Sequence, residues 1–155
     1  MKIIIRITAA LAALAVLLGC PQVTPDGPEL NQSLAFTLKV ISVTGESARI
    51  SVSHNGTDTD TWYGFASSDV NTNVATLISE KISELTAGGK VTGLRKQSGV
   101  TINAGELEPE TDYVYIVFGL TEDGTFYGNP ASIEFKTGQD ASKVTEVNTW
   151  TIQYQ

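Results

Sequence analysis

The sequence predicts an all-β protein, two antiparallel sheets packed face to face, with one helix set between strands. Three observations carry that prediction. Runs of period-two alternation recur along the chain, bounded by Gly, Asn, Asp and Pro. A proline-containing turn leads straight into the eight-residue apolar run Tyr113–Leu120. Only residues 69–85 change to a helical period.

Residues 106–119 read ELEPETDYVYIVFG. Pro109 fixes its own φ and lacks an amide donor, so the chain bends there instead of extending a ladder. Tyr113 then opens a strand of Val, Ile, Phe and Tyr, residues that suit a buried pleated surface. A tyrosine just after such a corner packs its ring inside and bonds its hydroxyl to nearby backbone, tying the crossing between two sheets. The stretch therefore reads as the corner of an immunoglobulin-type sandwich.

The remaining elements follow in order. Residues 36–43 (FTLKVISV) alternate as a first strand, strand A, and Thr44-Gly45-Glu46 turns it. Ala48, Ile50 and Val52 alternate with Arg49, Ser51 and Ser53, giving strand B with one face in and one out. Asn55-Gly56 is a turn signal, because both positions accept positive φ. Residues 61–67 (TWYGFAS) form strand C, with Trp62 as the large core ring, a role that Tyr63 and Phe65 on the other face could also claim.

In residues 69–85 (DVNTNVATLISEKISEL), Val74, Leu77, Ile78, Ile82 and Leu85 recur at helical spacing. Asp69, Asn71 and Thr72 are candidate N-caps, and Gly88-Gly89 ends the helix. An isolated helix of this length is marginal in water, so its apolar stripe must dock. The strand opened by Tyr113 (residues 113–120), strand F of such a sandwich, offers the place. Its core set is Tyr113, Tyr115 and Val117, yet Val114, Ile116 and Phe118 on the opposite face are also apolar, where a solvated face would be polar. The helix is expected to cover that outer face. The competing reading makes the face a binding surface with the helix as a movable flap. Residues 90–97 read as a basic loop or short strand, residues 98–103 as the strand before the turn, and residues 131–137 as the closing strand after a Glu122-Asp123-Gly124 hairpin.

Leu107, Pro109, Thr111 and Tyr113 match the L-x-P-x-T-x-Y turn of fibronectin type III domains. With Phe118-Gly119-Leu120-Thr121-Glu122-Asp123-Gly124 and Phe135-Lys136-Thr137, residues 36–137 resemble the fibronectin-type repeats of Bacteroidota lipoproteins. His54 departs from the pattern, standing where that family usually has a core tryptophan. The resemblance implies a fibronectin III-like domain over residues 34–138, and the helix inserted after strand C is a second departure from its pattern. It is nearly silent on function.

The first residues read as a leader. Lys2 and Arg6 precede the short apolar segment 7–18, which falls below the roughly 20 apolar residues a bilayer span needs. Leu17, Leu18, Gly19 and Cys20 resemble the bacterial lipobox, in which the leader is cut before the cysteine and the thiol is acylated. Cys20 is the sole cysteine, so an intrachain disulfide is excluded. Residues 1–19 are thus expected to be a signal peptide, and Cys20 a palmitate-type anchor to a bilayer. The resemblance implies the outer membrane, with periplasmic and cell-surface faces both open. Residues 20–33, with three prolines at 25, 28 and 21, read as a flexible tether.

The 155-residue chain carries a formal charge of −7, and loss of Lys2 and Arg6 with the leader leaves 8 basic against 17 acidic side chains. That balance argues against nucleic acid, which wants Lys and Arg clusters. One histidine and a sole, acylated cysteine leave no Cys–His pair, and a lone His54 at a turn is a poor start for a Ser–His–acid set. Asp58-Thr59-Asp60 and Glu106, Glu108 and Glu110 lack the length and glycine of a calcium loop and read as solubilising acids. No enzyme activity, metal or cofactor is expected. Phe126 and Tyr127 are candidate binding aromatics for a glycan or protein; the alternative is that they begin the last strand and pack inward. In residues 139–155, Trp150, Ile152 and Tyr154 alternate as a strand. The resemblance to these lipoproteins implies that it is the first strand of a second domain, for which the sandwich would serve as a spacer.

Overall fold

A computed structural model of the chain describes residues 29–139. The leader, Leu17, Leu18, Gly19, Cys20, most of the tether and the Trp150–Tyr154 alternation lie outside the described residues. Six strands and one helix are described: β1 (Phe36–Val43), β2 (Ala48–His54), β3 (Trp62–Ser67), α1 (Val74–Thr86), β4 (Val100–Ala104), β5 (Asp112–Leu120) and β6 (Phe126–Lys136). They form two antiparallel three-stranded sheets, β1-β2-β4 and β3-β5-β6, an all-β sandwich.

The alternation in the sequence sets the core. Ala48, Ile50 and Val52 of β2 and Ile102 of β4 face Tyr113, Tyr115 and Val117 of β5, Phe135 of β6 and Trp62 of β3. Trp62 is fully buried, edge-on to Phe36 at 6.1 Å, and its indole N–H donates to the Gln97 carbonyl. The parity of β3 thus gives the core ring to Trp62 and sends Tyr63 and Phe65 to the outer face.

On that outer face α1 docks. Leu77 and Ile78 are buried against Val114, Ile116, Phe118 and Leu120, with Tyr63, Phe65, Ile82 and Leu85 closing the margins. This second apolar cluster explains why β5 is buried on both faces. The helix begins later than residues 69–72 suggest. Asn73 is the cap, its side chain accepting from the Ala75 amide, whereas Asp69 accepts from the Thr72 amide and hydroxyl in the preceding turn.

The last strand begins at Phe126, five residues before the expected start at Ala131. Gly128-Asn129-Pro130 looks like a turn in sequence, but it is a bulge opposite Phe118, between the Val117↔Ala131 and Gly119↔Tyr127 pairs. Gly128 is required there twice over. Its φ is +73°, and a Cβ would stand 2.8 Å from Leu34. Leu34 is fully buried, and its carbonyl accepts from the Asn129 amide, pinning the segment before β1 onto β6.

Candidate functional site

The Leu107–Tyr113 turn is built as a closed hydrogen-bond unit. Tyr113 is buried, stacked on Phe135 at 5.7 Å, and its hydroxyl accepts from the Glu108 amide at 2.9 Å. Leu107 enters the core, its amide bonding the Glu46 carbonyl, and the Thr111 hydroxyl donates to the Pro109 carbonyl. Glu106 and Glu110, at φ +59° and +53°, bracket the bend. Thr137, the last residue of the Phe135-Lys136-Thr137 run, staples it: the buried hydroxyl donates to the Glu108 carbonyl at 2.6 Å and accepts from the Thr111 amide. Tyr113→Phe strands the Glu108 amide. A loss of about 1–3 kcal/mol is expected, measured as a lower urea midpoint at unchanged m-value.

The two candidate aromatics part company. Tyr127 follows the inward-packing alternative: it is buried, and its hydroxyl donates to the Thr61 carbonyl and accepts from the Thr61 amide, both at 2.7 Å. Alternation along β6 turns it inward beside Leu34 and Gly119, out of reach of a ligand. Phe126, the next residue up the strand, points outward and is 41 % exposed. It forms one lip of a groove of about 420 Å³ between β6 and α1, lined by Ala75, Ile78, Ser79, Ile82, Ser83 and Pro130. The groove was invisible in sequence because its two walls are some fifty residues apart and meet only once the helix docks.

Beside the groove, the Thr121–Thr125 turn is self-satisfied. Asp123 accepts from the Thr121 hydroxyl and the Thr125 amide, and those bonds hold its carboxyl below the usual range. His54 is likewise spent on structure. Its Nε2 lies 3.1 Å from the Lys96 carbonyl and its Nδ1 accepts from the Gly56 amide, which places the proton on Nε2. Among the described residues no cluster of His, Cys, Asp and Glu is placed to hold a metal ion.

A second opening lies on the opposite side of the sandwich. Between the edge strands β3 and β4 a cleft of about 580 Å³ reaches the interior, lined by Gly64, Ala66, Ile102, Leu107, Tyr113 and Tyr115 among others. Tyr115 is 2 % exposed, and burial pushes its phenol up to about 12, partly countered by Arg95. A raised phenol disfavours the charged form in the folded state. Its contribution to stability is therefore complete below about pH 10 and is lost as pH rises towards 12. Wild type should lose stability over that window, and Tyr115→Phe should flatten the loss in a pH series of urea melts.

No protein-family model matches the chain, and no curated protein matches it. No helix among the described residues is long and apolar enough to cross a membrane.

Proposed function

We propose that this chain is a non-enzymatic lipoprotein, held on a bilayer, in the outer membrane, by acylated Cys20, whose fibronectin-like sandwich acts as a binding or adhesion module for a glycan or protein. The fold assignment rests on strand order. Sheets β1-β2-β4 and β3-β5-β6 correspond to the A-B-E and C-F-G strands of immunoglobulin-type sandwiches, with α1 inserted after the third strand. The Tyr113–Glu108 bond, at the start of the sixth strand of that scheme, agrees with it.

One observation carries the binding reading. Among the described residues only Ile41 and Phe126 are large apolar side chains left exposed, and Phe126 is the one that lines an apolar groove. Its ring presents a face for a sugar or an apolar side chain, and α1 beside it supplies the wall. The engagement of both His54 nitrogens with backbone supports a non-enzymatic role.

The test is binding of the acylated full chain to a glycan array and to extracellular matrix proteins, with Phe126→Ser alongside. A loss of at least about tenfold in affinity, at unchanged thermal stability, is expected for an anchor ring. Equal binding by the variant removes the groove from the account. Binding seen only with a longer natural chain favours the spacer reading, in which residues 148–155 begin a further domain.

A further inference from the structure

We infer that the free edge of β3 is a strand-acceptor site, and that its occupant is this chain's own alternating segment Trp150–Tyr154. The inference is independent of what the Phe126 groove binds.

The first observation is an unpaired edge. The Trp62 amide and carbonyl both bond Arg95 at 2.8 Å, on the side of β3 away from β5. By the period of two, the amides and carbonyls of Gly64 and Ala66 face the same way. No partner for them is found among the described residues, because β3 pairs with β5 alone beyond Trp62. Such an edge is a template for another strand.

The second observation is the shape of the cleft beside it. The inward positions of β3 after Trp62 are Gly64 and Ala66, the smallest side chains available, and so the cleft stays open down to Tyr115. The Tyr115 hydroxyl lies where a Cβ on Gly64 would come within 2.7 Å. It has no hydrogen-bond partner among the described residues, in a side chain 2 % exposed. Since none of the sealed side-chain polar atoms there lacks a partner, this oxygen must open on the cleft. A nearly buried, unpaired phenol aimed into a cavity is a polar contact awaiting a ligand.

The third observation selects the occupant. The described chain leaves at Gly138, whose amide bonds the Thr44 carbonyl and whose carbonyl accepts from Glu110, at the end of the sandwich where β5 begins. β3 also finishes at that end, Ser67 pairing with Val114. Two strand spacings, about 10 Å, separate β6 from β3. Residues 140–149 reach about 33 Å when extended, ample for the crossing. A strand entering there runs towards Trp62, antiparallel to β3, and meets the Arg95 pairing after about five residues, the length of Trp150–Tyr154. Its large residues, Trp150, Ile152 and Tyr154, share one face and would oppose the small Gly64 and Ala66 face, while Thr151 and Gln153 face outward. A tether of ten residues also gives a high effective concentration, which favours the chain's own strand over another molecule's.

Amide hydrogen exchange by NMR on the full chain tests this, with Trp150→Ser/Ile152→Ser/Tyr154→Ser as the comparison. Exchange at Gly64 and Ala66 should be at least about tenfold slower in wild type, in samples that sediment as monomers, and the β5 amides should be equally protected in both proteins. Ala66→Pro gives a second route, since it deletes only the outward donor and an edge strand tolerates proline there. It should release the amides of Trp150, Ile152 and Tyr154, which share the face of Gly64 and Ala66 and so point at β3. Equal exchange at Gly64 and Ala66 in wild type and triple variant overturns the inference. So does slow exchange confined to dimers, which would assign the edge to a second copy.

Discussion

Leu77→Asp combined with Ile78→Asp should remove the helix from the sandwich. Both side chains are buried against the outer face of β5, at 6 % and 5 % exposure. Each contributes about 1.5–3 kcal/mol by burial, so their joint loss is about 3–6 kcal/mol before the cost of bringing carboxylates to an apolar wall. A 13-residue helix has little stability of its own, so it should melt once undocked. The expected observations are a lower urea midpoint, a weaker helical circular dichroism signal and dye binding to the uncovered Val114, Ile116 and Phe118 face. Ser79→Asp, one residue on and exposed, should leave all three unchanged. Unchanged stability in the double variant would mean that α1 rests on the sheet as a flap and contributes nothing to the fold.

The second large effect is expected at Trp62. Trp62→Ala empties the centre of the inner core, removes the edge contact with Phe36 and leaves the Gln97 carbonyl without its indole donor. A loss of about 3–5 kcal/mol follows from the cavity and transfer costs of a buried aromatic. Against a typical total of about 5–15 kcal/mol, that is about a fifth or more of the stability of such a domain. Tyr63→Ala, on the outer face and only half-buried, should cost clearly less. A reversed order in chemical denaturation would contradict the parity that puts Trp62 inside.

Much of this architecture is legible in the sequence because period-two alternation has only two phases. Once Ala48, Ile50 and Val52 are assigned inward, the polar Arg49, Ser51 and Ser53 must face out, and β2 is settled. The doubly apolar β5 in turn demands a cover on its outer face, and residues 69–85 are the stretch with helical spacing. Local rules fail where two distant segments decide the outcome. Gly128-Asn129-Pro130 has turn chemistry, yet pairing on both sides makes it a bulge. Tyr127 looks available for stacking until Thr61, sixty-six residues earlier, takes its hydroxyl. Asp69 is a good cap in isolation but closes the preceding turn, leaving Asn73 to start α1. The site followed the same rule. Phe126 was legible as an aromatic near a turn, whereas its groove depends on where α1 comes to rest.

The proposal of a tethered binding module stands on Cys20. Intact-mass and N-terminal peptide mass spectrometry of the protein recovered from bacterial membranes tests it most directly. A first residue Cys20 carrying fatty acyl chains, abolished with membrane retention by Cys20→Ala, is the predicted result. A chain that keeps residues 1–19, or that begins elsewhere with a free Cys20 thiol, would contradict it.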